Sequence, residues 1–381
     1  LSDYYPWGVY VEKRDILSAI GLVLLWDIIY MLLYRKSKRK FKISSAEKLI
    51  KDYMIKDRVY PNWFLPFVFA LSIMCFLILW KMIGFHNLFF RSENVLKIEN
   101  QTFNFIVRKI LTAFPATACI LFILLEKKNR SGIIKAAIFI LLLITICVNF
   151  PTSTTRYWMG TIYFGILFVL FFKRSNTRII DYGFLFAILV IFPILYYFKT
   201  LTITDVAKGN INYSGIVSSF NTIDFDAFSM LARSVRYVRE NGIFWGRQLL
   251  NVIFFFIPRS IWTSKPTVTS IIIASSQNQS YTNLSCPIMA EGYVNFGIIG
   301  LILYCFIYTK LIKFIDDIYW NESKDGDISA INVVYPFLCI INIYIDRGPL
   351  QPSFMQTIAL MLSMLMTNMF SVKKKKQDEI K

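Results

Sequence analysis

The residues with the clearest chemical potential in this chain are arginines set among apolar residues. Arg233, Arg236 and Arg239 follow one another at intervals of three, so a helix would place them along one side. A guanidinium group can donate two parallel hydrogen bonds to phosphate oxygens, and it keeps its charge at physiological pH. The pattern therefore indicates an anionic partner, either a phosphate-bearing substrate or the phospholipid headgroups that basic side chains meet at a membrane surface.

A second basic stretch, FIPRSIWTSKP at 256–266, places Arg259 and Lys265 between two prolines. Pro258 ends or kinks a helix at this point, which constrains the direction of the arginine that follows it. Residues 241–290 contain no acidic residue. The two cations thus have no acidic neighbour along the chain, which favours an external anionic ligand, with lipid headgroups as the alternative.

The composition indicates what kind of structure holds these residues. The 381-residue chain is 56% hydrophobic and 17% aromatic, and its formal net charge is +18. Apolar runs of about 20 residues, the length that crosses a bilayer core, recur along it. We therefore predict an all-α, polytopic helical membrane protein, with a single integral-membrane domain over 1–381 and about nine transmembrane helices. The predicted spans are 16–34, 63–84, 109–125, 133–150, 158–172, 180–198, 289–309, 330–346 and 353–370.

Lysine and arginine in the connections between spans predict the orientation. Basic clusters at 35–61, 126–130, 172–178 and 373–376 all fall on one side, which the positive-inside rule makes cytoplasmic. The C-terminus is then cytoplasmic too. The opposite side receives one large loop, residues 199–288, which is too long to be a plain connector.

Two helices are predicted within this large loop. Apolar residues recur at helical spacing over about 224–241 and predict an amphipathic helix at the membrane interface, carrying the arginine series. Asp224 or Asp226 suits its beginning, and Gly242 suits the position after its end. A short re-entrant or surface helix is predicted at about 246–258, where the apolar run is too short to span.

Four stretches in order resemble bacterial Wzy-type polymerases of O-antigen and capsular repeat units: TTRYWMG at 154–160, FIPRSIWTSKP, AEGYVNFGIIGL at 290–301 and DRGPL at 346–350. The resemblance covers most of the chain from about residue 150 onward. It implies a GT-C-like glycosyltransferase of the bacterial inner membrane, with the large loop in the periplasm. Such enzymes transfer a glycan from undecaprenyl pyrophosphate to the terminal sugar of another lipid-linked repeat unit, in lipopolysaccharide or capsule biosynthesis, and use no cofactor or metal.

The implied chemistry assigns roles to the outward basic residues, because guanidinium groups stabilise the charge of a departing pyrophosphate. Arg259 and Arg233 are the predicted catalytic arginines, and Glu291 is the candidate general base. The predicted substrate-binding residues are Arg156, Arg236, Arg247, Lys265 and Arg347. The alternatives are interfacial snorkelling for the cations, a helix N-terminal charge for Glu291, and an ion pair between Asp346 and Arg347. Reaction without any base is also open.

The implied partners are undecaprenyl-pyrophosphate-linked oligosaccharides and the lipid bilayer, with a chain-length regulator as a further candidate. Nucleic acid is not a predicted partner, since the densest basic segments adjoin helix ends. Two other functions stay open. A lipid-linked oligosaccharide flippase or transporter is disfavoured because Asp27 is the one acid found well inside a predicted span, away from its ends, and no internal repeat is evident. An O-antigen ligase is disfavoured because the only histidine, His86, lies outside the large loop.

Overall fold

A computed structural model describes residues 11–36, 45–90, 101–171, 178–191, 226–279, 281–282, 284–324, 327–369 and 371–373. The helices are α1 (Lys13–Lys36), α2 (Ser45–Ile55), α3 (Phe64–Ile83), α4 (Phe85–Phe89), α5 (Gln101–Asn129), α6 (Gly132–Val148), α7 (Arg156–Phe171), α8 (Arg178–Phe186), α9 (Ala227–Asn241), α10 (Arg247–Ile253), α11 (Thr269–Ser276), α12 (Ile288–Asp317), α13 (Ala330–Arg347) and α14 (Leu350–Asn368). Short π-helical turns, Ala187–Ile191 and Ile318–Glu322, follow α8 and α12. Strands β1 (Arg58–Val59) and β2 (Val372–Lys373) pair antiparallel, with Arg58 opposite Lys373.

Five helical segments are long and apolar enough to cross a membrane: Lys13–Arg35, Phe64–Ile83, Asn104–Asn129, Ile288–Glu322 and Ala330–Arg347. The apolar helices α6 and α7 are shorter. This confirms the predicted class, an all-α protein with several helices suited to a membrane. Each predicted span overlaps a helix, although residues 192–198 lie outside the described part of the chain. The number of crossings and the GT-C-like arrangement stay predictions.

The chain divides into two compact units. The single integral-membrane domain stays a prediction. The first unit consists of Leu1–Lys42, Asn212–Phe314 and Asn342–Met355, and the second of Ile43–Ile211, Ile315–Ile341 and Gln356–Lys381. The described part of the predicted large loop, from residue 226 onward, belongs entirely to the first unit. Residues 199–225 of that loop lie outside the described residues.

The core of the first unit forms where α1 packs against α9. Ala19, Leu22 and Trp26 of α1 recur at helical spacing and are buried. On α9, Met230 and Leu231 belong to a run of buried residues from Ser229 to Val235. This helix occupies the segment predicted to be amphipathic, and its apolar face packs against α1. Its position at the membrane interface stays a prediction.

The helix α12 is broken near its beginning, where the sequence predicts one continuous span at 289–309. Phe296 and Gly297 have non-helical backbone angles, and the φ of Gly297 is +65°, a left-handed value that glycine adopts without steric cost. A Cβ atom on Gly300 would lie 2.1 Å from the carbonyl oxygen of Gly292. Residues eight apart in a continuous helix are about 12 Å apart along its axis. The first two turns of α12 therefore fold back on the part that follows the break.

The core of the second unit is formed by large side chains that are fully buried. Phe64 of α3, Phe114 of α5 and Trp158 of α7 are among the largest of them. Gly165 lies against the ring of Phe337, since a Cβ atom there would come within 2.4 Å of it. A small residue at this point therefore allows α7 and α13 to pack closely.

Candidate functional site

The predicted catalytic residue Arg233 is buried inside the first unit. One of its Nη atoms donates a hydrogen bond of 3.2 Å to Oε1 of Gln277, and Nε2 of Gln277 donates one of 2.9 Å to the carbonyl oxygen of Arg233. This reciprocal pair ties α9 to the end of α11. No sequence pattern predicts this pair, because Gln277 is uncharged and lies 44 residues away.

The other two arginines of the series have acidic partners. Arg236 forms an ion pair of 2.9 Å with Glu240, one turn further along α9. Arg239 contacts Glu12 at 2.9 Å and the buried Asp15 at 3.1 Å. The hydrogen bond from Arg239 holds the pKa of Glu12 below its usual value. The three arginines therefore occupy three different environments and do not form one exposed stripe.

Lys265 lies inside the loop that follows α10. The residue is 5% exposed, and its ammonium group donates hydrogen bonds of 2.7 Å to the carbonyl oxygen of Phe255 and 2.9 Å to that of Ile257. Burial lowers the pKa of Lys265, and the nearby charge of Arg259 lowers it further. The ammonium group thus binds carbonyl oxygens of the residues that follow α10, and these hydrogen bonds hold the loop in place.

Arg259 and Arg247 converge on one three-residue segment of the same loop. Arg259 donates hydrogen bonds of 2.7 Å to the carbonyl oxygen of Lys265 and 3.1 Å to that of Pro266. Arg247 donates one of 2.9 Å to the carbonyl oxygen of Ser264. Both arginine residues are exposed. A guanidinium group has five N–H donors, so each retains donors that an anion could use.

Glu291, the candidate base, is 1% exposed and joins three segments of the first unit. Its carboxylate accepts a 2.7 Å hydrogen bond from the hydroxyl of Thr269 and a 3.3 Å bond from the backbone N–H of Leu350. Thr269 and Leu350 are the first residues of α11 and α14. Burial, together with the adjacent Glu291, raises the pKa of the Cys286 thiol well above its ordinary value. A carboxylate at two helix beginnings fits the structural alternative.

Arg347 pairs with Asp226, and not with its neighbour Asp346 as one interpretation of the sequence suggested. The Arg347–Asp226 distance is 3.1 Å, and Asp226 also accepts the backbone N–H of Ser285 at 2.9 Å. Asp346 instead accepts a 2.6 Å hydrogen bond from the hydroxyl of Tyr308. Adjacent residues of a helix point in different directions, which explains why Asp346 and Arg347 have different partners although they are neighbours in the sequence.

Arg156 differs from the other predicted site residues because it belongs to the second unit. It is half-buried and begins α7. Two residues later, the fully buried Trp158 donates a 2.8 Å hydrogen bond from Nε1 to Oδ1 of Asn149. Lys109 is 7% exposed, and its ammonium group lies 4.2 Å from the centroid of the Trp158 ring. Sequence reasoning missed Lys109, although a lysine at the first position of a predicted span is a usable signal.

Within the described ranges, no group of three or more histidine, cysteine, aspartate and glutamate residues is placed to hold a metal ion. Comparison with protein-family models, with curated proteins and with solved structures gives no match. The family resemblance of the four sequence stretches therefore rests on the residues themselves.

Proposed function

We propose that this chain polymerises lipid-linked oligosaccharide repeat units as a membrane glycosyltransferase. The observation that carries the proposal is the meeting, in the first unit, of two family-like stretches and the segment that directly follows a third. Glu291, from AEGYVNFG, accepts the N–H of Leu350, from DRGPL, and the hydroxyl of Thr269, just after FIPRSIWTSKP. Segments far apart in the chain thus converge, as a substrate site requires.

The proposed reaction transfers a glycan between two lipid carriers. The terminal hydroxyl oxygen of one repeat unit forms a bond to the anomeric carbon of the other, and the bond from that carbon to the undecaprenyl pyrophosphate breaks. The pyrophosphate leaves with the bonding electron pair. The hydroxyl proton passes to Glu291 or to water. Arginines beside the leaving oxygen lower the barrier by stabilising its charge.

The predicted roles of the basic residues follow from their contacts. Arg259 is exposed and held by the carbonyl oxygens of its own loop, so we assign it to the leaving group, with Arg233 as the second catalytic arginine. Lys265 holds the loop that presents Arg259. We keep as substrate-binding residues the remaining arginines of the prediction: Arg156, Arg236, Arg247 and Arg347. A periplasmic site and a cytoplasmic C-terminus in the bacterial inner membrane complete the proposal.

One observation favours the second candidate, a lipid-linked oligosaccharide transporter. Transporters commonly carry helices interrupted within the membrane, with the break lining the substrate path. The break at Phe296 and Gly297, within a segment long enough to span, is of that kind. Loss of a polymerase leaves single repeat units on the outer side of the membrane, whereas loss of a transporter leaves them on the cytoplasmic side. The side on which repeat units accumulate therefore distinguishes the two functions.

The test compares strains that express Arg259→Ala, Arg259→Lys or Arg178→Ala at equal membrane protein level. Arg259→Ala is expected to abolish long-chain surface polysaccharide, while single repeat units persist on the outer side, as seen on a glycan ladder. Arg259→Lys is expected to impair chain growth as well, because a lysine ammonium group cannot form the bidentate hydrogen bonds that arginine forms with a pyrophosphate. Arg178, an exposed residue at the beginning of α8 in the second unit, is the matched control and should leave the ladder unchanged.

Two outcomes would contradict the polymerase. Normal long chains in Arg259→Ala cells would remove Arg259 from the chemistry. Retention of repeat units on the cytoplasmic side, measured by their protection from an external glycosidase, would favour the transporter instead.

A further inference from the structure

The helix α10 buries two polar side chains beside Val252, and after the exposed Arg247 at its beginning it exposes apolar ones. Gln248 and Asn251 face inward and are 2% and 1% exposed. Leu250, Ile253 and Phe254 face outward and are 48%, 46% and 40% exposed. A surface helix in water has the opposite arrangement. This exposed face is typical of a helix that faces an apolar medium, although this seven-residue helix is outside the segments long enough to span that the described residues contain.

The exposed apolar surface extends beyond both ends of α10. Trp245, before the helix, is 80% exposed, and Ile261, after it, is 77% exposed. Trp245 has a φ of +52°, which is unusual for a bulky side chain. Its neighbours hold it there, because the N–H of Phe244 donates a 2.8 Å hydrogen bond to the carbonyl oxygen of Val294. The backbone is thus fixed in a conformation that leaves the indole exposed.

The same surface is continuous with a candidate membrane span. Gly246 packs under the ring of Phe296, since a Cβ atom there would lie 2.6 Å from that ring. Ile298 and Ile299 follow directly on α12 and are 55% and 76% exposed. Trp245, next to Gly246, therefore lies beside residues of α12 whose exposed side chains suit the hydrocarbon of a bilayer.

We propose that residues 245–261 are immersed in one leaflet of the bilayer without crossing it, with lipid acyl chains covering the outward face of α10. The length of α10, about 10 Å, is too short to span. Arg247 and Arg259, tied to the carbonyl oxygens of residues 264–266, then lie at the depth of the headgroup phosphates. This assignment does not depend on the chemistry that the protein performs.

The test uses tryptophan fluorescence of the full chain reconstituted in phospholipid nanodiscs. The difference between the wild type and Trp245→Phe isolates the Trp245 signal. Lipids brominated near the top of the acyl chain are expected to remove most of that signal, and aqueous iodide is expected to remove little. The matched control is Trp26→Phe, because Trp26 is a 5% exposed residue of the same unit whose difference signal should resist both quenchers.

Two results would overturn the proposal. Strong quenching by iodide with none by brominated lipid would place Trp245 in water. Resistance to both quenchers would mean that protein, such as a second copy of the chain, covers the surface. Ile261→Trp in the Trp245→Phe chain gives an independent check, since its fluorescence should again be lost to shallow bromine, and iodide quenching there would equally sink the idea.

Discussion

Glu291 poses the main question at the scale of single residues, since its carboxylate could receive a proton or simply hold helices together. Its contacts with the hydroxyl of Thr269 and the N–H of Leu350 satisfy the structural role without any substrate. Glutamine can satisfy both of those partners as well, because its carbonyl oxygen accepts the Leu350 N–H and its amide donates to the Thr269 oxygen. Glutamine cannot take up a proton from an acceptor sugar.

This difference separates the two roles by experiment. If Glu291 is the base, Glu291→Gln should slow chain growth in membranes supplied with lipid-linked repeat units, while the thermal midpoint of the purified protein stays near that of the wild type. Glu291→Ala should lower both quantities, because it leaves two buried partners without an acceptor, at a cost of about 1–3 kcal/mol each. An unchanged rate of chain growth for Glu291→Gln at normal protein level would remove Glu291 as base.

The broken α12 matters most at the scale of elements, because it brings Glu291 to the beginnings of α11 and α14. The fold-back depends on two glycines that let backbone segments touch, Gly292 and Gly300. It is reinforced from outside the helix, where Asn295 accepts the N–H of Leu249 at 3.3 Å through its side-chain oxygen. The predicted base is thus positioned by residues that have no chemistry of their own.

The glycine contact can be tested by adding one methyl group. Gly300→Ala is expected to destabilise the protein by about 1–3 kcal/mol or more, because its Cβ atom would overlap the carbonyl oxygen of Gly292. Gly21→Ala in α1 is the matched control, since no atom lies within 4 Å of the added Cβ. Thermal unfolding in detergent should show a lower midpoint for the first variant alone. Equal midpoints would mean that α12 does not fold back in this way.

Sidedness is the central question at the scale of the whole molecule. The basic connections predict a cytoplasmic C-terminus and place residues 226–279 on the opposite side. Function depends on this, because a polymerase of exported repeat units requires its arginines outside. The described cysteines are buried or partly buried, so an introduced exposed cysteine reports its own side of the membrane.

Two single cysteines give the expected pattern of labelling. Ser275→Cys, on the exposed side of α11, should react with a membrane-impermeant maleimide in intact spheroplasts. Arg178→Cys, at the beginning of α8, should react only after the membrane is permeabilised. The unmodified chain gives the background. The reverse pattern would invert the topology and with it the proposed periplasmic site.

How far the sequence predicts this molecule depends on the range of the interaction involved. Hydropathy predicts the helices that overlap the predicted spans, because such helices are marked by apolar runs that are local in the sequence. The partners of Arg347 and Arg233 are not predictable in the same way, since Asp226 and Gln277 are 121 and 44 residues away. Likewise, no local pattern predicts that the residues from Ser229 to Val235 of α9, Arg233 included, are buried. Residue types indicate possible chemistry, and tertiary packing selects which of them meet.

The break in α12 also determines how the protein matches the thickness of its bilayer. As one rod, the 30 residues of Ile288–Asp317 would be about 45 Å long, well beyond a hydrocarbon layer of about 30 Å. Such a mismatch is relieved only by tilting the helix or deforming the lipid. After Gly297, about 20 residues remain, which measure about 30 Å. With Gly292 and Gly300 in contact and Gly297 left-handed, the part of α12 that follows the break has about the length of one hydrocarbon layer, so it could cross without the tilt that the unbroken helix would need.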